Sequence, residues 1–342
     1  MTVVIARGGR DLAQLRQRLA RRGGGRSRVG LERWIVGDVA VDVALHVRAQ
    51  HAEGPIWDAD TARLWWVDIT GERVHAHDPR SGNDTSWRTA GQPGGVILAT
   101  AGETILASPD GLAVLDPDTG TIDLHVPIEH DKAGNRANDA KVDGHGRVWI
   151  GTMAYDKGAG EAALYRVDGD RVTRMVEGLT ISNGPAFDEA HGRLYLADTA
   201  LFAVDVFDLD PESGALSGRR PFLDFREAEF WPDGMTVDAD GMLWVALGRA
   251  GMVQRYDARG ALDGVIELPT TNPTSVAFGG ADGTDLFITT SWSDLDADGR
   301  ANQPLAGAIF RCRPGVTGSP SPRYAFTPPQ GHISTSTPRR ST

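Results

Sequence analysis

One hairpin pattern recurs six times along the 342 residues, and it limits the chain to a small set of folds. The copies read EGPIWDADTARLWWVDI from Glu53, GGVILATAGETILAS from Gly94, NDAKVDGHGRVWIGTM from Asn138, NGPAFDEAHGRLYLAD from Asn183, DGMTVDADGMLWVAL from Asp233 and TSVAFGGADGTDLFITT from Thr274. Each is a small or polar residue, a strand, a turn with Gly or Asp, and a second aliphatic or aromatic strand. Successive starts are 41, 44, 45, 50 and 41 residues apart. A period of that length, with a hairpin in every unit and further strands such as RVHAHDPRSG, LYRVDGDRV and VQRYDARG between units, is the pattern of propeller blades. Six copies predict an all-β, six-bladed β-propeller. A β-sandwich would not repeat so regularly, and helical repeats need a period of 3.6 that is missing here.

Composition agrees with short strands and many turns: 42 Gly and 19 Pro accompany hydrophobic runs of only a few residues. The net charge of −11 argues against a nucleic-acid partner. The charge is uneven, because residues 1–28 hold eight Arg against one Asp, which leaves about −18 on the rest. Residues 1–38 read as a basic N-terminal extension, partly disordered, ahead of a propeller over 39–327. Residues 328–342 are Pro/Ser/Thr-rich and read as a disordered tail. No stretch is long and apolar enough for a membrane helix, and the basic start has no apolar segment of the secretory kind. The single Cys312 allows no intrachain disulfide and suits a reducing compartment, so a cytoplasmic monomer or small homo-oligomer is expected. A propeller needs its last blade closed on its first. The strand at 41–47 precedes the first repeat and is expected to pair with 307–313.

In a propeller the innermost strand of each blade lines the axis, and the residue entering it faces the channel. Those positions are Glu53, Gly94 or Gly95, Asn138, Asn183, Asp233 and Thr274. Two carboxylates and two amides then meet at one place, and buried like charges need a cation. Oxygen donors favour a hard divalent ion: Ca²⁺ first, with Mg²⁺, Mn²⁺, Zn²⁺ or Fe²⁺ as alternatives. His51 lies two residues before Glu53, on the same strand face, and is a candidate for the same site. Other motifs fail. DLDADGRANQPL at 294–305 begins like an EF-hand loop but has Leu305 where a bidentate Glu is required, and no G-x-S-x-G nucleophile elbow exists.

The segments EGPIW, NRANDAKVDGHGRVWIGTM, SNGPAFD, LYLADT, PDGMTVDADGMLWVA and ANQPLAGAIFR together resemble the gluconolactonase family, which includes regucalcin and luciferin-regenerating enzyme. The likeness spans roughly 39–327. It implies a six-bladed propeller with one divalent metal in the channel and hydrolysis of a sugar lactone. It implies Glu53, Asn183 and Asp233 as metal ligands, with Arg136 and Asn138 on the substrate. A further acidic substrate contact would fall near Asp156, although AYDKGAGEA departs from the regucalcin pattern there. Asp233, able to hold the metal with one oxygen and a proton with the other, is the expected catalytic base. The alternative function is a non-hydrolytic calcium-binding regulator or an interaction propeller.

Overall fold

The computed structural model describes residues 33–36 and 39–326. The expected basic extension, apart from 33–36, and the expected tail from 328 lie outside the described residues.

Six antiparallel sheets surround an axis, and five of them are built from four consecutive strands each. Their innermost strands are Ala52–Asp58, Gly95–Leu98, Asn135–Val142, Ser182–Asp188 and Trp231–Val237; the sixth blade begins with Pro273–Gly279. Chain closure occurs in this sixth sheet. Val39–Leu45 pairs antiparallel with Ile309–Cys312, so the first part of the chain completes the last blade as expected. The sheet also extends one strand further: Arg33–Val36 pairs with Val39–Leu45, upstream of the boundary expected at 39.

The hairpin turns explain why the repeat carries Asp. In VDGHGRVW the Asp143 carboxylate accepts the N–H groups of His145 and Arg147 at 3.0 and 3.1 Å, the Arg147 Nε at 2.7 Å and the Trp149 indole at 2.8 Å. In VDADGMLW, Asp238 repeats the scheme with the N–H groups of Asp240 and Met242 at 3.0 Å and the Trp244 indole at 2.8 Å. One buried acid therefore closes the turn and anchors the aromatic residue of the next strand. Such fully satisfied buried networks favour one register over its neighbours.

The apolar core is divided among the gaps between sheets. Trp65, Val67, Val96 and Leu106 join the first two blades, and Trp149, Leu164, Leu194 and Phe207 join the third and fourth. Leu64 and Trp66 meet Phe287 and Ile309 where the first blade meets the last. After Cys312 the chain crosses the end of the channel that holds the hairpin turns. Ala239 N–H donates to Thr317 O, Arg323 pairs with Asp58 and Asp60, Tyr324 N–H donates to Leu98 O, and Ala325 N–H to Gly146 O. Tyr324 is almost fully buried, and its hydroxyl reaches Gly169 O at 2.7 Å. This strap ties blades together across that end and leaves the opposite end for the polar residues.

Candidate active site at the channel mouth

Five of the six inner strands break register at the same height. Pairing slips between Glu53 and Ile56, Ala137 and Ala140, Asn183 and Ala186, Pro232 and Met235, and Pro273 and Val276. At each break the inner strand carries more residues than the neighbouring strand. Bulges of this kind re-aim side chains, and they are frequent beside functional sites. Here they ring the channel just below its mouth. Glycine permits the crowding. Gly54, at φ +53°, would place a Cβ 2.9 Å from Gly95 Cα, and a Cβ on Gly94 would lie 1.8 Å from Asn138 O. The repeated Gly after Glu53 and before Gly95 is therefore a consequence of inner strands meeting backbone to backbone.

The ring gathers most of the residues expected from the sequence. His51, Glu53 and Asp233 each present an atom within 4.8 Å of one another. Glu53 is buried, and its carboxylate accepts the Gly54 N–H at 2.6 Å. Asn138 donates to Asn183 Oδ1 at 2.6 Å and to Ser182 O at 2.9 Å. Asn183 in turn donates to the Thr199 hydroxyl at 2.8 Å. Arg136, buried, donates from Nη1 to Asn138 Oδ1 at 3.0 Å and to Ala137 O at 2.7 Å. One hydrogen-bonded chain thus runs from Arg136 through Asn138 to Asn183 and Thr199, and it orients the Asn183 carbonyl.

Two expected positions behave differently. Thr274 enters its strand at the expected place, but its hydroxyl donates to Ala52 O and contacts Thr289 Oγ1 at 2.8 Å, so it ties the last blade to the first. Asp156 is exposed, and its carboxylate accepts the Gly158 N–H at 2.9 Å within its own turn. It lines a surface hollow of about 440 Å³ with Asn135, Tyr155 and Glu161, and shares no described hydrogen bond with Arg136 or Asn138.

Asp139 was missed by the sequence reading. It is buried, and neither carboxylate oxygen has a hydrogen-bond partner among the described residues. The N–H groups of Ala140 and Gly184 lie close enough to favour its charge, without good hydrogen-bond geometry. Strict alternation puts Asp139 on the face opposite Asn138. The bulge over Asn138 and Asp139 removes that alternation, and a second acid directly after an axial Asn was the available signal.

The electrostatics follow from this crowding. Burial, and then the charge of Asp139, raises the Glu53 carboxyl to about 8. Burial, followed by the charges of Glu53 and Asp139, raises Asp233 well above the usual carboxylate range. Burial also raises Asp139, with Lys141 opposing. His51 is lowered to about 4 by burial and by Arg136, so it is a neutral imidazole able to donate a lone pair. Buried acids that repel, two oxygens without partners and a neutral imidazole together fit a divalent cation.

Residues 51–292 match the family model described as the SMP-30/gluconolactonase/LRE-like region. The chain belongs to this family. Among its members, regucalcin of Danio rerio is 33% identical over 297 residues, covering 85% of this chain and all of that protein. Pentonolactonase XacC of Haloferax volcanii is 37% identical over 282 residues, covering 78% of this chain and 92% of that one. Among solved structures, a calcium-binding regucalcin from Agrobacterium tumefaciens superposes with a TM-score of 0.79 at 30% identity, covering 82% of this chain and 96% of that one. A luciferin-regenerating enzyme superposes with a TM-score of 0.78 at 27% identity, over 84% and 99% of the two chains. The family resemblance and the repeat geometry therefore lead to the same fold.

Proposed function

We propose that this chain is a divalent-cation-dependent sugar lactonase that opens an aldonolactone to the sugar acid. The observation that carries the reading is the convergence of His51, Glu53 and Asp233 within 4.8 Å at the channel mouth, beside the Arg136–Asn138–Asn183 chain. The names of relatives, pentonolactonase XacC among them, support the substrate class. Glu53, Asn183 and Asp233 would hold the ion, with His51 as a further donor, and Ca²⁺ is favoured by the oxygen donors. A bound cation supplies Lewis-acid polarisation of the lactone carbonyl.

The protein's own groups do the rest. Arg136 and Asn138 hold hydroxyl groups of the sugar and fix the ring over the acids. Asp233 accepts a proton from the attacking water. The water oxygen bonds to the carbonyl carbon, the bond from that carbon to the ring oxygen breaks, and the released ring oxygen takes the proton from Asp233. A carboxylic acid and a free hydroxyl result, and the acid then loses its proton to solvent, which is the acid release the assay reads. Burial at the mouth strengthens the attraction between Arg136 and the charge that develops on the carbonyl oxygen.

The test is acid release from a panel of pentono- and hexonolactones, measured at constant pH with Ca²⁺, Mg²⁺, Mn²⁺ or Zn²⁺ and after chelation. Turnover that needs the cation supports the reading. Cation binding without turnover of any lactone favours a calcium-binding regulator instead, as the regucalcin relatives suggest.

A further inference from the structure

We propose that Asp139 is a further acid of the ion site, and that Lys141 beneath it is the counter-charge that matches the site to a divalent rather than a trivalent ion. Three observations carry this. Asp139 is 3% exposed, yet both of its oxygens lack a hydrogen-bond partner among the described residues, so its acceptors are free for an ion or for ion-bound water. It sits in the channel-side bulge directly after Asn138, which bonds to Asn183, outside the trio of His51, Glu53 and Asp233 that lies within 4.8 Å but close enough for its charge to act on both Glu53 and Asp233. Lys141, two residues on, lines the channel cavity below and acts electrostatically on both Asp139 and Glu53. No described hydrogen bond or ion pair engages its ammonium.

The charge balance gives the pair a purpose. Glu53, Asp139 and Asp233 carry three negative charges when ionised, and Arg136 and Lys141 carry two positive ones. The neighbouring Asp68 is occupied by the N–H groups of Gln50, His51 and Gly71. Asp294 and Lys157 act on His51 with opposite signs. The site is therefore left with one net negative charge. A doubly charged cation turns this into one positive charge. On the lactonase reading, on which this step rests, that is the charge needed to offset a single developing oxyanion and then a single carboxylate. Without Lys141 the balance would suit a triply charged ion, and without Asp139 the empty site would be neutral and would attract a cation weakly. Asp139 is thus a positioning residue that acts through the ion.

The experiment is calorimetric titration of chelator-stripped, full-length protein with Ca²⁺ and, separately, with Tb³⁺. Asp139→Asn should weaken Ca²⁺ binding at least tenfold while circular dichroism stays native. Lys141→Gln should tighten Ca²⁺ binding and raise the preference for Tb³⁺ over Ca²⁺ at least tenfold. Ca²⁺ affinity within twofold of wild type in a folded Asp139→Asn protein would overturn the proposal. So would a Lys141→Gln protein whose ion preference is unchanged, and that arm decides if Asp139→Asn does not fold. These titrations use no lactone. If wild type binds Ca²⁺ and the variants respond as expected but no lactone is hydrolysed, the lactonase reading fails and the ion-site assignment stands.

Discussion

Replacing Asp233 by asparagine should stabilise the metal-free protein while abolishing its response to cations. His51, Glu53 and Asp233 present atoms within 4.8 Å of one another. Two unit charges at that distance repel by about 3 kcal/mol at an effective dielectric near 20. The metal-free protein avoids this by holding a proton. The sign follows from the direction of the shift. Glu53 titrates at about 8 in the fold against 4.5 ordinarily, so between those values the folded state keeps a proton that the unfolded chain has released. The Glu53 contribution to metal-free stability is therefore fully present below about 4.5 and is lost as pH rises toward 8. Asp233, raised by burial and by the charges of Glu53 and Asp139, gives up its proton at the same cost, and the neutral amide of Asp233→Asn removes that part of the loss, while the part due to burial of Glu53 and to Asp139 remains. For a domain of this size 1 kcal/mol corresponds to about 2–4 °C, and the variant should melt up to about 10 °C above wild type at pH 8.5 in chelator. At pH 5 the two should nearly coincide. Excess Ca²⁺ should reverse the order at pH 8.5, because an ion at 1,000 times its Kd adds about 4.1 kcal/mol to wild type and little to the variant. Scanning calorimetry across pH 5 to 9 decides it. If the Asp233→Asn protein melts below wild type in chelator at pH 8.5, or if Ca²⁺ raises both proteins equally, the like-charge account of the site is wrong.

Three other outcomes follow from the same geometry. Arg136→Ala should lower kcat/KM for the best lactone at least tenfold, since losing a charged hydrogen bond costs about 1.5–3 kcal/mol, while Ca²⁺ binding is kept and tightened by the loss of one positive charge facing Glu53 and Asp233; release of the ion in calorimetry would place Arg136 in the ion site instead. Asp156→Ala should leave kcat/KM within twofold for pentono- and hexonolactones, because its carboxylate closes its own turn; a changed ranking in parallel assays would restore it as a sugar contact. Truncation after residue 316 should lower the melting temperature by roughly 10 °C relative to truncation after 326, because Tyr324 and Phe326 are buried and loss of one large aromatic costs about 3–5 kcal/mol; equal melting curves would mean that the strap adds nothing.

The blades were legible because a propeller repeats its physics. Every hairpin must close with a tight turn and bury a second strand, so VDGHGRVW and VDADGMLW use the same acid to hold the same indole. The positions entering the inner strands were legible for the same reason: Glu53 and Asp233 approach each other, and Asn138 bonds to Asn183. What simple alternation could not convey is the bulge. A strand read with period two sends Asn138 and Asp139 to opposite faces, and the break in pairing between Ala137 and Ala140 cancels that rule. Thr274 differs for the opposite reason. It occupies the repeat position, but its hydroxyl is used at the closure between first and last blades, a contact between residues 222 positions apart that no local pattern encodes. Asp156 differs again. Asp two residues before Gly is itself a turn signature, and one oxygen of the Asp156 carboxylate is used to close its own loop. In this fold, then, an acid's role depends on whether backbone N–H groups already engage it. Asp143 and Asp238 are fully engaged and hold the turns. Asp139 alone among these buried aspartates has neither oxygen engaged. That is why the channel mouth, and not the hairpin end, is where a cation would be stabilised.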